Sequence, residues 1–208
     1  EDQLGHIFTH DIRAQGVHFE TAPGTTQPPT ARSMIFVTED GERSMNTYLG
    51  ACVEFGPEDV EPEVVAQSKV TYFEGYLWDP PRAKQAILDC ARIAHEHGRE
   101  MSMTLSDSFC VDRWRDEFLD LMRSKTVDIV FANEQEALSL YETDDFAEAL
   151  TRLSQDCKLA AVTMGDQGAV VVKGDERIRV PATEIASLVD TTGAGDLFAA
   201  GFLSTWGL

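Results

Sequence analysis

The sequence predicts an α/β protein whose mainly parallel sheet has helices on both faces. After Gly56, short apolar runs alternate with segments whose apolar residues recur at helical spacing, which is the order of a strand–helix–strand repeat. The apolar runs are nearly continuous, as in strands that are covered on both sides. A hairpin at 33–49 does not fit this repeat, so we expect it to form a small separate flap.

The first part of the chain predicts a helix, a short strand, a loop and the hairpin. Leu4, Ile7 and Phe8 recur at helical spacing, and Asp40-Gly41 readily takes the positive φ angles of a tight turn. The predicted segments are a helix over 3–16, a strand over 17–19, a loop over 23–29, and hairpin strands over 33–38 and 44–49.

The rest of the chain predicts the alternating layers of the sheet and its helices. Pro80 and Pro81 can open a helix, and a following apolar stripe ends before Gly98. Strands are predicted over 70–73, 101–105, 127–132, 159–163, 169–172 and 178–180, with helices over 81–97, 111–124, 134–141, 146–157 and 195–206. Such sheets bind ligands at the carboxyl ends of their strands.

The composition limits the classes of function. Seventeen basic and 36 acidic residues leave a net charge of −19, which disfavours nucleic acid and anionic membranes as partners. No apolar run reaches the roughly 20 residues of a membrane span. Four widely spaced cysteines favour reduced thiols, and with no visible signal peptide we expect a cytoplasmic protein.

A glycine-rich turn near the carboxyl end predicts an anion site. Gly193-Ala194-Gly195 leads into a helix, whose first N–H groups and dipole favour an anion. Asp196 falls in the first turn of that helix, where it can be either a capping residue or a group that acts on a ligand. Small residues after it, from Ala199 to Gly201, would let the backbone approach a ligand closely.

Two more segments follow predicted strands, and each permits two interpretations. Asn133 and Glu136 can form a capping box at the start of a helix, or they can hold a hydrated Mg²⁺ ion. The segment from Thr163 to Gly168 can be a simple β-turn, or its backbone amides can approach a phosphate chain.

Taken together, the three segments resemble those of the PfkB/ribokinase family of carbohydrate and nucleoside kinases. The sequence DTTGAGD at 190–196 matches the C-terminal signature of the family, NEQE at 133–136 its N-x-x-E motif, and TMGDQG at 163–168 its nucleotide loop. The hairpin, continuing into GERSMNTYLGA, is similar to the lid of bacterial adenosine-kinase-like and sugar-kinase members. The resemblance therefore implies a ribokinase-like fold with a partial β lid.

The resemblance also implies roles for particular residues. Asp196 would be the general base toward the acceptor, and the amides of 193–196 would bind the transferred phosphoryl group. Asn133, Thr163, Gly165, Gly168 and Gly195 would bind ATP.

Further implied roles concern cations and the acceptor. Asn133 and Glu136 would organise Mg²⁺ through water, and Glu74 would contact the acceptor. Asp190 and Thr192 match a monovalent-cation site that binds potassium in some members.

The sequence departs from the family pattern in the two regions that bind the substrates. An N-terminal strand with a Gly-Gly pair and an acidic residue, and the region after the DTTGAGD helix, do not appear. We therefore expect a core over 1–30 and 51–208, truncated at both ends, with the lid hairpin over 31–50. Lids of relatives act either as flaps or as dimer contacts, and both alternatives stay open.

These observations lead to a kinase hypothesis and one alternative. The hypothesis is an ATP-dependent kinase for a primary hydroxyl of a sugar or nucleoside, with adenosine first and ribose or fructose-type sugars next. The alternative is a non-catalytic nucleotide or sugar sensor on the same fold. An early G-x-G-x-x-G and a P-loop are both absent from the sequence, which disfavours dinucleotide-dependent dehydrogenases and P-loop enzymes.

Overall fold

The structure is a computed structural model that describes residues 2–24, 28–39, 43–185 and 189–206. Its helices are α1 Gln3–Ala14, α2 Pro62–Gln67, α3 Pro81–Glu96, α4 Ser108–Arg123, α5 Glu134–Tyr141, α6 Phe146–Asp156 and α7 Ala194–Thr205. Its strands are β1 Arg32–Val37, β2 Arg43–Tyr48, β3 Val70–Glu74, β4 Glu100–Thr104, β5 Ile129–Asn133, β6 Leu159–Thr163, β7 Ala169–Lys173 and β8 Glu176–Val180.

Six strands form one sheet in the order β3-β4-β5-β6-β7-β8. The pairs from β3 to β6 are parallel, whereas β6–β7 and β7–β8 are antiparallel. The prediction of a mainly parallel sheet is confirmed. The carboxyl ends of β3, β4, β5 and β6 consequently meet at one edge of the sheet.

Helices cover both faces of the sheet, as predicted. On one face, strand residues such as Val130 and Ala132 pack with α3, α4, α5 and α6 in the larger apolar core. On the other face, Phe131 packs against α7, with its ring 6.2 Å from Phe198 and 5.5 Å from Phe202. Edge-to-face aromatic pairs of this kind add about 0.5–1.5 kcal/mol each beyond burial of their area. These contacts fix α7 against β5 and hence the position of its first turn.

The hairpin forms a separate two-stranded antiparallel sheet. β1 pairs with β2 in a register that sets Val37 opposite Arg43 and Ile35 opposite Met45. The two predicted strands are therefore confirmed. The Asp40-Gly41 turn between them lies outside the described residues.

Some predicted elements differ from the structure. Residues 17–19 are not a strand, and Val17 is exposed, since no neighbouring strand in the described chain pairs with them. The short helix α2 was not predicted because six residues carry too little periodicity. Helix α4 begins at Ser108, three residues before its predicted start, because Asp107 caps it by accepting a hydrogen bond from the Cys110 amide.

No disulfide links the four cysteines, which all lie in the described ranges, and Cys110 and Cys157 are buried. Within the described part of the chain, no helix has both the length and the apolar character that a membrane crossing requires.

Candidate active site

A cleft of about 570 Å³ opens at the carboxyl ends of the parallel strands. The last residues of four neighbouring strands line it, namely Glu74, Thr104, Asn133 and Thr163. The first turn of α7 closes one side and the lid hairpin another. The volume lies within the range of about 300–1,000 Å³ that is typical of small-molecule sites.

The first turn of α7 presents free amide groups to this cleft. Gly193 precedes the helix with φ of 74°, a left-handed conformation that glycine adopts without strain. The Ala194 amide donates to Thr191 O at 3.1 Å, and the Leu197 amide donates to Gly193 O at 2.9 Å. Among the described residues, the amides of Gly195 and Asp196 have no hydrogen-bond partner. Two unpaired N–H groups at a helix N-terminus are able to bind an anion, and the anion site itself stays a prediction.

Asp196 lines the cleft and does not cap α7. The cap position belongs to Gly193, and Asp196 is the third helical residue. Its side chain is exposed and accepts no hydrogen bond from the described part of the chain. The capping interpretation of Asp196 is therefore wrong, and its carboxylate is available to a ligand beside the anion site.

Asn133 and Glu136 form the capping box and also line the cleft. The Asn133 amide donates to Glu136 Oε2 at 2.9 Å, the Glu136 amide donates to Asn133 Oδ1 at 2.9 Å, and Asn133 Nδ2 donates to Glu136 Oε1 at 2.7 Å. Glu136 is 5% exposed, and burial raises its pKa despite the Asn133 bond. The two interpretations of this motif are compatible, because the same carboxylate caps α5 and faces the cleft.

Glu74 lies at the end of β3 with both carboxylate oxygens held. Tyr72 Oη donates to Oε1 at 2.5 Å, and Ser106 Oγ donates to Oε2 at 3.4 Å. Burial raises the pKa of Glu74, and the charge of Asp196 raises it further. The negative charge of Asp196 disfavours a second negative charge on Glu74 because both carboxylates line the same cleft.

Arg43 is a lining residue that the sequence did not single out. Its Nη1 donates to Thr191 Oγ1 at 2.6 Å, which joins the lid to the turn before α7. It is the only basic side chain among the described residues that line the cleft. The contact spans 148 positions of the chain, so no local pattern pointed to it. The one available signal was an arginine within the predicted lid of a strongly acidic protein.

The comparison with known proteins agrees with this arrangement. The sequence matches the profile described as pfkB family carbohydrate kinase over residues 1–207. The chain belongs to the pfkB family. The resemblance inferred from three motifs is thus confirmed, and so is the ribokinase-like fold class.

Several pfkB family members and solved structures are similar to the chain. It is 76% identical to the adenosine kinase of Sinorhizobium meliloti, with a TM-score of 0.95 over 98% of this chain and 62% of that one. It is 79% identical to a probable sugar kinase of Rhizobium etli CFN 42, with a TM-score of 0.95 over 97% of this chain and 61% of that one. It is 28% identical over 206 residues to an ATP-dependent ribose-1-phosphate kinase of Halopiger xanaduensis, covering 99% of this chain and 64% of the relative. The chain spans less than two thirds of the length of these three relatives.

The structure brings together most, but not all, of the residues that the pfkB family motifs single out. Thr163 and Thr192 line the cleft with Asp196, whereas Gly165, Gly168 and Asp190 do not. The two glycines shape the turn between β6 and β7, with φ of 59° and 92°. The exposed Asp190 accepts a hydrogen bond from the Thr192 amide at 2.8 Å.

The cleft suits a hydrated cation better than a directly coordinated one. In the described ranges, no group of three or more His, Cys, Asp or Glu could hold a metal ion. The Glu136 side chain is only 5% exposed, so contact with Mg²⁺ would run through water, which that ion retains readily. The carboxylates of Glu74, Glu136 and Asp196 would also repel a polyphosphate that arrived without a cation. The magnesium and potassium sites stay predictions.

Proposed function

We propose that the protein is an ATP-dependent phosphotransferase that phosphorylates a primary hydroxyl of a sugar or nucleoside. The observation that carries this proposal is the free carboxylate of Asp196 beside the unpaired amides of Gly195 and Asp196. A base and an anion site at one point are what transfer of a phosphoryl group to a hydroxyl requires. A protein that only binds a nucleotide has no need of the base.

Each group in the cleft has a distinct part in the proposed reaction. Asp196 takes the proton from the acceptor hydroxyl as the hydroxyl oxygen attacks the terminal phosphorus of ATP; the bond from that phosphorus to the bridging oxygen breaks, and ADP leaves. The amides of 195–196, at the positive end of α7, bind the oxygens of the transferred group. Arg43 offsets the charge that develops there, from the lid side. Magnesium, when bound, would neutralise the phosphates of ATP, with Asn133 and Glu136 holding its water shell.

We propose adenosine as the first acceptor to test, followed by ribose and fructose-type sugars. The support is the similarity to a named adenosine kinase and to a probable sugar kinase. Glu74, which faces the cleft beside Asp196, would accept a hydrogen bond from a further hydroxyl of the acceptor. Asp190 and Thr192 would hold a potassium ion at the turn before α7.

The experiment is an assay of ADP release by the natural protein that carries this sequence. Adenosine, ribose, fructose and related sugars are offered one at a time with ATP and Mg²⁺, and we expect ADP release that depends on one acceptor. If calorimetry shows that the protein binds ATP and an acceptor but no ADP is released, the result would instead support the sensor.

Exchanging Glu136 for Gln separates its capping role from its role in the cleft. A capping box tolerates Gln, but Gln can accept only one of the two bonds from Asn133, so we expect the free energy of unfolding to fall by about 0.5–1.5 kcal/mol. We expect kcat to fall by about 10–100-fold, with a higher Mg²⁺ requirement, because the charge near the water shell is lost. Glu148→Gln, at the equivalent position of α6 outside the cleft, is the matched control. A loss of activity that only follows a loss of stability would contradict the cleft role.

The buried Glu136 carboxyl should also make the stability of the wild-type protein depend on pH. Burial raises the pKa of Glu136 above its value in the unfolded chain. This carboxyl therefore contributes fully to stability when the pH is below its pKa in the unfolded chain. The contribution is lost as the pH rises through its pKa in the folded protein. Denaturant unfolding of the wild type and of Glu136→Gln should show the variant gaining relative stability across that interval. If the difference in unfolding free energy between the two proteins stays the same at every pH, burial does not disfavour the charged form of Glu136.

Removing Arg43 is expected to slow the reaction and leave the fold intact. Loss of one preorganised charge at an anion site costs about 10²–10³-fold in kcat, so we expect this loss for Arg43→Ala. Arg43→Lys should restore part of it, since lysine supplies the charge without the fork geometry. Arg32→Ala is the control, because Arg32 lies on the other face of the same hairpin, 4.9 Å from the Tyr48 ring. Equal losses in the Arg43 and Arg32 variants would assign the effect to the hairpin as a whole.

We propose that the lid acts as a flap over the cleft. Arg43 and Met45 line the cleft, and strand alternation sets Met34 and Phe36 on the opposite, exposed face. A dimer formed through that outer face stays a prediction, which analytical ultracentrifugation of the natural protein can test.

A further inference from the structure

The loop after β4 contains a strained turn at the wall of the cleft. Ser106 has φ of 73°, and the Asp107 amide donates to Leu105 O across it at 3.0 Å. A three-residue turn with a positive central φ is the rare, strained form of the γ-turn. Serine adopts this conformation at a cost that glycine would avoid, and the hydroxyl is the group that glycine could not supply.

The Ser106 hydroxyl connects the ends of two strands. Its oxygen accepts the Tyr76 amide at 3.3 Å, and its proton is donated to Glu74 Oε2 at 3.4 Å. Gly75 allows this approach, because a Cβ there would lie 3.0 Å from Leu105 O and 3.1 Å from Ser106 Oγ. Tyr76 Oη also donates to Asp107 Oδ2 at 2.6 Å. The ends of β3 and β4 are therefore held together around the Glu74 side chain.

The other oxygen of Glu74 is held by Tyr72. Its hydroxyl donates to Oε1 at 2.5 Å, and its ring packs against Phe131 at 6.2 Å between centroids. A carboxylate can accept about four hydrogen bonds, so two acceptor sites remain for a ligand in the cleft. Glu74 is thus fixed in one orientation while it keeps the capacity to bind.

We propose that Ser106 and Tyr72 are positioning residues that orient the Glu74 carboxylate toward the acceptor. This inference rests on the proposed function. The strained turn persists because it sets the Ser106 hydroxyl between Glu74 and Tyr76. Acceptor recognition then depends on residues of β3 and the β4 loop that do not themselves carry out the phosphoryl transfer.

The test compares Ser106→Gly, Ser106→Ala and Tyr72→Phe in the natural protein. Each removes one hydrogen bond to Glu74, so we expect KM for the acceptor to rise by about tenfold, with KM for ATP unchanged and kcat nearly so. Glycine relieves the strain and alanine does not, so the two Ser106 variants should differ in stability and agree in acceptor KM. Lys125→Gly is the matched control, since Lys125 has φ of 61° outside the cleft and its relief should leave every kinetic constant unchanged.

Two results would overturn the proposal. One is an unchanged acceptor KM in Ser106→Gly and Tyr72→Phe; the other is an equal rise in the KM values for acceptor and ATP, which indicates general distortion. If the wild type shows no acceptor-dependent ADP release, the proposed function fails separately. In that case the wild type and the same variants are titrated with adenosine and ribose by calorimetry. The inference requires that the variants bind the acceptor more weakly than the wild type. Equal binding by the variants and the wild type, or no binding by the wild type, excludes it.

Discussion

Asp196→Asn is expected to lower kcat by about a thousandfold or more while the protein stays folded. Asparagine has nearly the same size but cannot take the proton of the acceptor hydroxyl. The carboxylate is exposed and accepts no hydrogen bond from the described residues, so its loss should cost little stability. ADP release with the best acceptor gives the rate, and thermal unfolding reports the fold.

The control for this variant is Asp120→Asn on the exposed side of α4, which should keep full activity. Calorimetry should show that Asp196→Asn still binds ATP, because the amides at the start of α7 remain. If Asp196→Asn retained more than roughly a tenth of the wild-type rate, general-base catalysis by this residue would be excluded.

Gly168→Ala is expected to destabilise the fold by about 3 kcal/mol or more. Gly168 has φ of 92°, which L side chains rarely adopt. An added Cβ would also collide with Val180 O and come within 2.6 Å of the Ala182 amide nitrogen. These are backbone atoms, so no side chain can move aside. Urea unfolding monitored by tryptophan fluorescence should show the lower midpoint.

The matched control lies three residues earlier in the same turn. Gly165 has φ of 59°, but no atom lies within 4 Å of the position of its Cβ. Gly165→Ala should therefore cost only about 1 kcal/mol, which is the strain of the left-handed conformation alone. If both variants lost the same free energy of unfolding, steric contact with the end of β8 would not contribute to the destabilisation of Gly168→Ala.

The sheet and most of its helices were predictable because their signals are local. Continuous apolar runs such as Ile129-Val130-Phe131-Ala132 specify strands covered on both faces, and the proline pair at 80–81 specifies the start of α3. Prediction was least accurate where a neighbour decides the element. Residues 17–19 have strand composition and no partner strand in the described chain.

The candidate site was predictable in part, for a topological reason. Asn133 and Thr163 end adjacent parallel strands, so they must lie at one edge of the sheet. The role of each residue was less accessible. Sequence alone left Asp196 as cap or ligand-facing group, and only the placement of Gly193 at the cap position excluded the cap.

The sequence by itself determined the α/β class, the strands and helices along the chain, the glycine turn before α7 and membership of the pfkB family. Tertiary structure alone brought Arg43 to Thr191 and the Ser106 hydroxyl to Glu74. The physical reason is range. Helical periodicity, strand patterning and caps arise between residues a few positions apart, whereas these two contacts join segments 148 and 32 positions apart. No pattern within one segment encodes such a contact, because it exists only when packing of the sheet, α7 and the lid has set both ends in place.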